Sequence, residues 1–293
     1  MAREAPRTIE TIRRQRDVAP GDLELVVVDN GSPEPFDERL LDGLPRARAI
    51  RLDPAPPSPA RAVNTGLAAA SADLVGVVVD GARMLSPGVV AGALRAAAAS
   101  PSPVVATVAL HLGPDVQMRS TQAGYDQRAE DELLERVDWR ADGYRLFEIS
   151  VLAGSSARGW FGPMGESNAL FLRSADWQRL GGYDEAFDAP GGGLANHDAY
   201  RRACELPGTD LYVLLGEATF HQVHGGASTS RAGRDQAAWD RYEELRGRPY
   251  APPERPATLV GTVPPSALDH LVASTEWLRR RAARADRYAA PPS

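Results

Sequence analysis

The sequence contains no lysine: all 33 basic residues among its 293 are arginine. Schiff-base catalysis and a P-loop lysine are thereby excluded. A single cysteine, Cys204, excludes an internal disulfide framework. It falls in a helical-looking segment, Asn196 to Glu205, where it reads as a small packing residue. No apolar stretch approaches the ~18 residues needed to cross a bilayer. Met1 to Arg16 also lacks the apolar core of a signal peptide. No transmembrane segment is expected, and the expected location is the cytoplasm, in solution or peripheral to a membrane. Basic charge is not in excess: the net charge of -6 argues against nucleic acid as a partner. Arg279, Arg280, Arg281, Arg284 and Arg287 read as a solvated end that complements a helix C-terminal dipole. What is present, 43% hydrophobic and 25% charged residues, suits a folded, enzyme-sized chain.

Two apolar runs, Leu25 to Val28 and Leu74 to Val79, each end on an aspartate. Short runs rich in β-branched residues, with little alternation, read as strands buried on both faces, as in a parallel sheet covered by helices. In open α/β sheets ligands bind beyond the carboxyl ends of the strands. Asp29 and Asp80 are therefore expected together there, as ligands of a nucleotide or a metal, or else as caps of the turns after them. Around these runs the order is helix (Pro6 to Arg16), strand, helix (Ala60 to Ala70), strand, helix (Pro87 to Ala99) and strand (Val104 to Leu110). Such alternation predicts an α/β fold with right-handed parallel crossovers.

Tyr125, Ala129, Leu133 and Val137 lie four apart and predict an amphipathic helix over Thr121 to Val137. From Trp139 to Asn168 aromatics alternate with glycine and serine, and such a loop-rich stretch suits a substrate-shaped surface. Trp160, Glu166 and Asn168 are its candidate sugar or acceptor contacts. Strands are expected at Ala169 to Leu172 and Leu211 to Leu215, and helices at Ser174 to Leu180 and Asn196 to Glu205. After about residue 230 two helices, Arg234 to Arg246 and Ser266 to Arg284, flank a proline-rich link.

Four pieces then carry a resemblance: Val-Val-Val-Asp-Asn-Gly-Ser at 26 to 32, Ala-Val-Asn-Thr-Gly at 62 to 66, Val-Asp-Gly-Ala at 79 to 82, and Leu-Gly-Gly-Tyr-Asp-Glu at 180 to 185. In this order and spacing they resemble a family 2 glycosyltransferase of GT-A fold over about residues 5 to 228. The resemblance implies a Rossmann-like, mostly parallel sheet with helices on both faces. Residues 1-230 would form the transferase domain, with a nucleotide-binding half of about 1-110 and an acceptor half of about 111-230. Residues 231-293 would form a helical C-terminal extension. The implied partners are a nucleotide-sugar donor and a carbohydrate or other hydroxyl acceptor; the implied reaction is an inverting sugar transfer.

Position by position, the resemblance makes Asp29, Asn64, Gly66, Asp80 and Gly81 nucleotide or donor contacts. Asp80 stands for the first aspartate of a D-x-D metal motif. A divalent Mn2+ or Mg2+ would neutralise charge growing on a diphosphate leaving group. Ala82 replaces the second aspartate, which weakens that expectation. A further ligand is sought in His221 or His224, within Phe-His-Gln-Val-His-Gly-Gly. If that run is a strand, the two point to opposite faces and only one ligates. Asp198 stands where the family carries its general base, near a helix N-terminus that favours an ionised carboxylate. The same position also suits an ordinary first-turn residue. His197 replaces the acid that precedes that base.

The family also opens with a strand ahead of the first helix, which this sequence does not contain. A start upstream of Met1 is the expectation, since a sheet without a buried strand exposes an apolar edge. Two rival classes stand beside the transferase. One is a catalytically silent GT-A module that binds a sugar or a protein. The other is a nucleotidyltransferase, whose glycine-rich loop with a basic residue is not found here. Nothing in the sequence specifies an oligomeric state.

Overall fold

The computed structural model describes residues 1–224 and 235–289, with side chains described to residue 283. The nucleotide-side half runs α1 (Ala5–Arg13), β1 (Leu25–Asp29), β2 (Ala47–Arg51), α2 (Ala60–Ala69), β3 (Leu74–Val78), β4 (Arg83–Leu85), α3 (Val89–Ala99) and β5 (Pro103–Leu112). The chain continues with α4 (Gln117–Gln122), α5 (Gln127–Arg136), β6 (Ser150–Leu152), β7 (Ala169–Arg173), α6 (Ser174–Leu180), α7 (Ala195–Glu205) and β8 (Asp210–His221). Beyond them come α8 (Gln236–Arg246), β9 (Thr258–Gly261) and α9 (Leu268–Ala289). The result is the expected α/β architecture, a central sheet flanked by helices with helices at the C-terminal end.

The main sheet has the order β3-β7-β5-β8-β4, with β6 on β5 and β9 on β8. It is mixed: β5, β8 and β9 run parallel, while β3 with β7, β7 with β5, and β4 with β8 are antiparallel. β5, expected as a strand over Val104 to Leu110, is buried at every position except His111. The principal core joins Val108 and Leu110 of β5 to Trp160, Tyr200 and Phe220.

β1 and β2 form a separate parallel pair. Among the described residues no strand joins this pair to the main sheet. Among the described residues β1 pairs only with β2, and β3 only with β7. Most residues of both strands are half-buried rather than buried, as befits strand edges. The opening strand that the resemblance implies has no counterpart among the described residues.

Three local outcomes differ from the pattern read in the sequence. The helix expected over Thr121 to Val137 is two helices, because Gly124 takes a left-handed φ of +89° and Asp126 caps a new start, accepting from Ala129 N at 2.9 Å. Its buried residues are Glu130 and Leu134 instead of Leu133. The proline-rich link after residue 230 yields β9, which extends the main sheet, and α8 packs Tyr242 into the core. Arg284 and Arg287 lie outside the described side chains. Among the described residues no helix is long and apolar enough to cross a membrane.

β8 is long enough to serve two neighbours. Its first half, Tyr212 to Leu215, pairs with β9, and its last three residues pair with β4. Between them Gly216 adopts φ +78°, and the register against β5 shifts between Ala106 and Val108. Such a bulge bends and twists a strand and so re-aims the residues beyond it. A side chain is not tolerated there: an added Cβ would stand 2.0 Å from Thr262 O. Gly216→Ala should therefore combine left-handed strain of roughly 1–2 kcal/mol with a backbone collision. Thermal denaturation should show a fall of about 4 °C or more at this chain size. Gly208→Ala, at φ +79° with open space around it, should lose less; equal losses would contradict the collision.

Candidate active site

The turn after β3 presents Asp80 in a left-handed conformation, φ +81°, uncommon for any residue but glycine. The turn holds it there: Asp80 Oδ1 accepts from Ala82 N at 2.8 Å, and Thr8 Oγ1 of α1 donates to Gly81 O at 2.8 Å. β4 begins three residues later and pairs antiparallel with the end of β8, Arg83 opposite His221. That pairing carries the Asp80 turn to the end of β8.

Asp80 Oδ2 lies 3.3 Å from His221 Nε2 and 3.0 Å from His224 Nε2, and the two imidazole nitrogens are 3.0 Å apart. The expectation that only one of the two histidines faces Asp80 is thus corrected. β8 ends at His221, and the chain leaves the strand over Gln222 and Val223, so strand alternation no longer governs His224. The departing turn is anchored from two sides. Gln222 Nε2 donates to Glu4 O at 3.2 Å, and Glu130 Oε2 accepts from Val223 N at 2.7 Å. Gly225 and Gly226 lie outside the described residues.

One carboxylate oxygen and two imidazole nitrogens, each within 4.8 Å of the others, make a donor set that fits a divalent ion. The electrostatics agree. Burial alone would raise Asp80, but hydrogen bonds to His221 and His224 hold it well below the usual carboxylate range. Burial, with the charge of Arg83, pushes His221 down to about 4, so its imidazole is neutral and free to ligate at neutral pH.

Around this cluster stand groups that the sequence reading did not select. His111, at the end of β5, lies beside His221 with ring centroids 5.6 Å apart, and its Nδ1 accepts from Gln117 N at 2.8 Å. Burial, and then the charges of His221 and Arg83, push it down to about 3. Arg83 has Nε and Nη1 buried without a hydrogen-bond partner. Burial lowers its pKa against the opposing charges of Asp80 and Glu166. The signals for both were available: a charge inside the apolar run Ala-Arg-Met-Leu, and a histidine at the carboxyl end of a buried strand.

Glu166 lies within electrostatic reach of Arg83 and His111, with 17% of its side chain exposed. Its Oε2 accepts from Asn196 Nδ2 at 2.6 Å and lies 3.5 Å from His197 Nδ1. Burial would raise it, but the charges of His197 and Arg83, with hydrogen bonds from Asn196 and Ser155, bring it down to about 2. Asn168 joins the same network, its Oδ1 3.2 Å from Asn196 Nδ2, while its own Nδ2 is buried without a partner.

Other expected site residues have their polar atoms committed to the protein. Asp29 Oδ1 accepts from Ser32 N at 2.8 Å, and Oδ2 from Phe36 N and the Arg51 guanidinium, so it caps the turn after β1. Asn64 donates to Tyr183 O and Glu185 Oε1, both at 2.9 Å, and accepts from Tyr183 N at 2.8 Å. It clasps α2 to the Gly-Gly-Tyr-Asp-Glu turn, which explains why two of the sequence pieces occur together. Gly66 lets α2 approach β1: an added Cβ would lie 3.3 Å from Val28 Cγ2.

Two assignments are corrected. Trp160 is 2% exposed, donates from Nε1 to Glu217 O at 3.1 Å, and packs against Phe147, so it is core and not a sugar contact. Asp198 is 0% exposed. Its Oδ1 accepts from Arg246 Nε at 2.6 Å, and its Oδ2 from Arg202 Nε at 2.7 Å and Arg246 Nη2 at 2.8 Å. A carboxylate enclosed by two guanidinium groups offers no oxygen to an acceptor, so Asp198 serves here as an anchor between α7 and α8. Cys204 is buried, and burial pushes its thiol up to about 12, in keeping with a packing residue.

Residues 2–153 match the family model described as Glycosyl transferase family 2. No curated protein matches the chain. Among solved structures, S. aureus TarS 1-349 superposes with a TM-score of 0.51 at 13% identity, over 75% of this chain and 56% of that one. TarS 1-349 in complex with UDP-GlcNAc gives 0.51 at 15% identity, over 83% and 61%. Its complex with UDP gives 0.50 at 14%, over 75% and 57%. The chain thus spans less than two thirds of these structures, and the likeness is one of fold.

The geometry makes two outcomes testable. Asp198→Asn leaves Arg202 without a carboxylate partner and Arg246 with Asp184 alone, and breaking a buried pair costs up to about 3–5 kcal/mol; a melting temperature unchanged from wild type would contradict the anchor role. His111 and His221 are held neutral below the ordinary histidine value of about 6.5. The unfolded chain therefore binds more protons in this range, and their contribution is full above pH 6.5 and lost as pH falls towards 4. The melting temperature in chelator should fall across that window, and the double variant His111→Gln/His221→Gln should flatten the fall.

Proposed function

The chain belongs to glycosyl transferase family 2, and from that premise we propose that it moves a sugar from a nucleoside-diphosphate donor to an acceptor hydroxyl with inversion at the anomeric carbon. The observation that carries this reading is the convergence of Asp80, His221 and His224 on one point beside the strand ends. Those three residues would hold a divalent Mn2+ or Mg2+, and Ala82 leaves the rest of its coordination to phosphate oxygens and water. Such an ion supplies charge neutralisation for the departing diphosphate. The fold likeness to TarS, seen with UDP and with UDP-GlcNAc, makes a uridine nucleotide the first donor to test.

On the acceptor side we place Glu166 where Asp198 was expected. It is ionised at neutral pH, partly exposed, and oriented by Asn196. A carboxylate so placed accepts the acceptor hydroxyl's proton as the new bond forms. Asn168 and His197 shape the same wall. In-line displacement needs a base on one side of the anomeric carbon and a cation on the other, and these two groups of residues supply them.

The test is thermal unfolding of the full chain with UDP, GDP, dTDP and CMP, each with and without Mn2+. A ligand at 100 times its dissociation constant adds about 2.7 kcal/mol, or several degrees at this size. One nucleotide should raise the melting temperature with Mn2+, and Asp80→Asn should remove the Mn2+-dependent part. Glu166→Gln should then lower turnover at least 100-fold with donor binding kept. No shift with any nucleotide would instead favour a silent module that binds a sugar or a protein.

A further inference from the structure

We propose that Arg83 is a second, protein-borne cation for the donor's diphosphate, able to hold that group without a divalent ion. The inference rests on the donor-site reading above and concerns a residue that neither the sequence motifs nor the fold likeness assigns. Its first support is that Arg83 lacks an ion-pair partner. Among the described residues no carboxylate lies within ion-pair distance of its guanidinium, and Nε and Nη1 are buried with no hydrogen-bond partner. A buried charge is normally paired, because leaving water uncompensated is expensive. Arg246 and Arg3 follow that rule: Arg246 is shared by Asp184 and Asp198, and Arg3 by Glu130 and Asp131. Arg83 departs from it beside the candidate metal cluster.

Its second support is position. Arg83 is the cross-strand partner of His221, and such partners lie side by side on one face. The charges it feels are those of Asp80 and Glu166, the two carboxylates assigned to the donor and the acceptor. The guanidinium thus belongs beside the candidate cation site, within electrostatic reach of both carboxylates. Its planar fork suits paired phosphate oxygens.

Its third support is the charge count. The resemblance puts a second carboxylate at position 82, where this chain has alanine followed directly by arginine. The turn therefore contributes Asp80 and Arg83, which cancel, in place of two negative charges that only a metal can offset. In a chain without lysine, arginine is the only permanent side-chain cation available for the role.

The experiment is calorimetric titration of the full chain with inorganic pyrophosphate and with UDP, once in EDTA and once in Mn2+. Wild type should bind both in EDTA, and Arg83→Ala should weaken that binding at least tenfold, a larger factor than its effect on UDP binding in Mn2+. The melting temperature of ligand-free Arg83→Ala should equal or exceed that of wild type, since an uncompensated charge has been removed. Arg83→Met keeps the volume and serves if the alanine variant does not fold. A drop in melting temperature for both variants would make Arg83 structural and overturn the inference. So would wild-type binding that needs Mn2+, although that outcome leaves the transferase reading intact. Absence of UDP binding under every condition would remove both.

Discussion

The three-residue pairing of β4 with the end of β8 is the constraint on which the candidate site depends. It sets Arg83 against His221 and draws the Asp80 turn to the place where β8 ends. Everything needed for that meeting lies upstream of the chemistry. Gly216 bends β8 away from β9 so that its last residues can take β4, and Thr8, Gln222 and Glu130 fix the turns on either side. A shift of one residue in that register would move Arg83 to the other face of the sheet and separate the carboxylate from the imidazoles.

A second theme is how a lysine-free chain uses arginine. Most enclosed guanidinium groups act as ties between elements: Arg246 of α8 binds Asp184 and Asp198, and Arg202 joins Asp198 to the carbonyls of Leu180 and Gly182. These ties bring the C-terminal segment onto the domain, so α8 and β9 belong to the same core and sheet as the residues before them. Against that background the unpaired guanidinium at the site stands out.

Much of the fold was readable because it rests on local pattern. Apolar runs gave β1, β3 and β5, and alanine-rich stretches gave α2 and α3. Asp80 drew attention because it closes such a run, and His221 with His224 through the family resemblance; the three converge in the structure. Most of the differences come from partners distant in sequence. Arg246, which encloses Asp198, comes 48 residues later, and nothing near Asp198 announces it. Trp160 sits in a glycine-rich loop that looks exposed, yet α9 closes over it through Ser274, whose Oγ accepts from Trp160 N. Asn64 and the Tyr183 turn each carry a motif, but their mutual clasp shows only when the two are brought together. That both histidines reach Asp80 was not legible, because strand alternation stops where β8 does.

The central claim is that Asp80, His221 and His224 together hold one divalent ion at the donor site. Anomalous diffraction at the manganese edge, from crystals grown with Mn2+ and the nucleotide that binds, tests it most directly. The account predicts one strong peak at roughly 2.0–2.4 Å from Asp80 Oδ2 and from both Nε2 atoms, with diphosphate oxygens completing the shell. A nucleotide bound with no peak between those three atoms, or with the manganese held elsewhere, would contradict it.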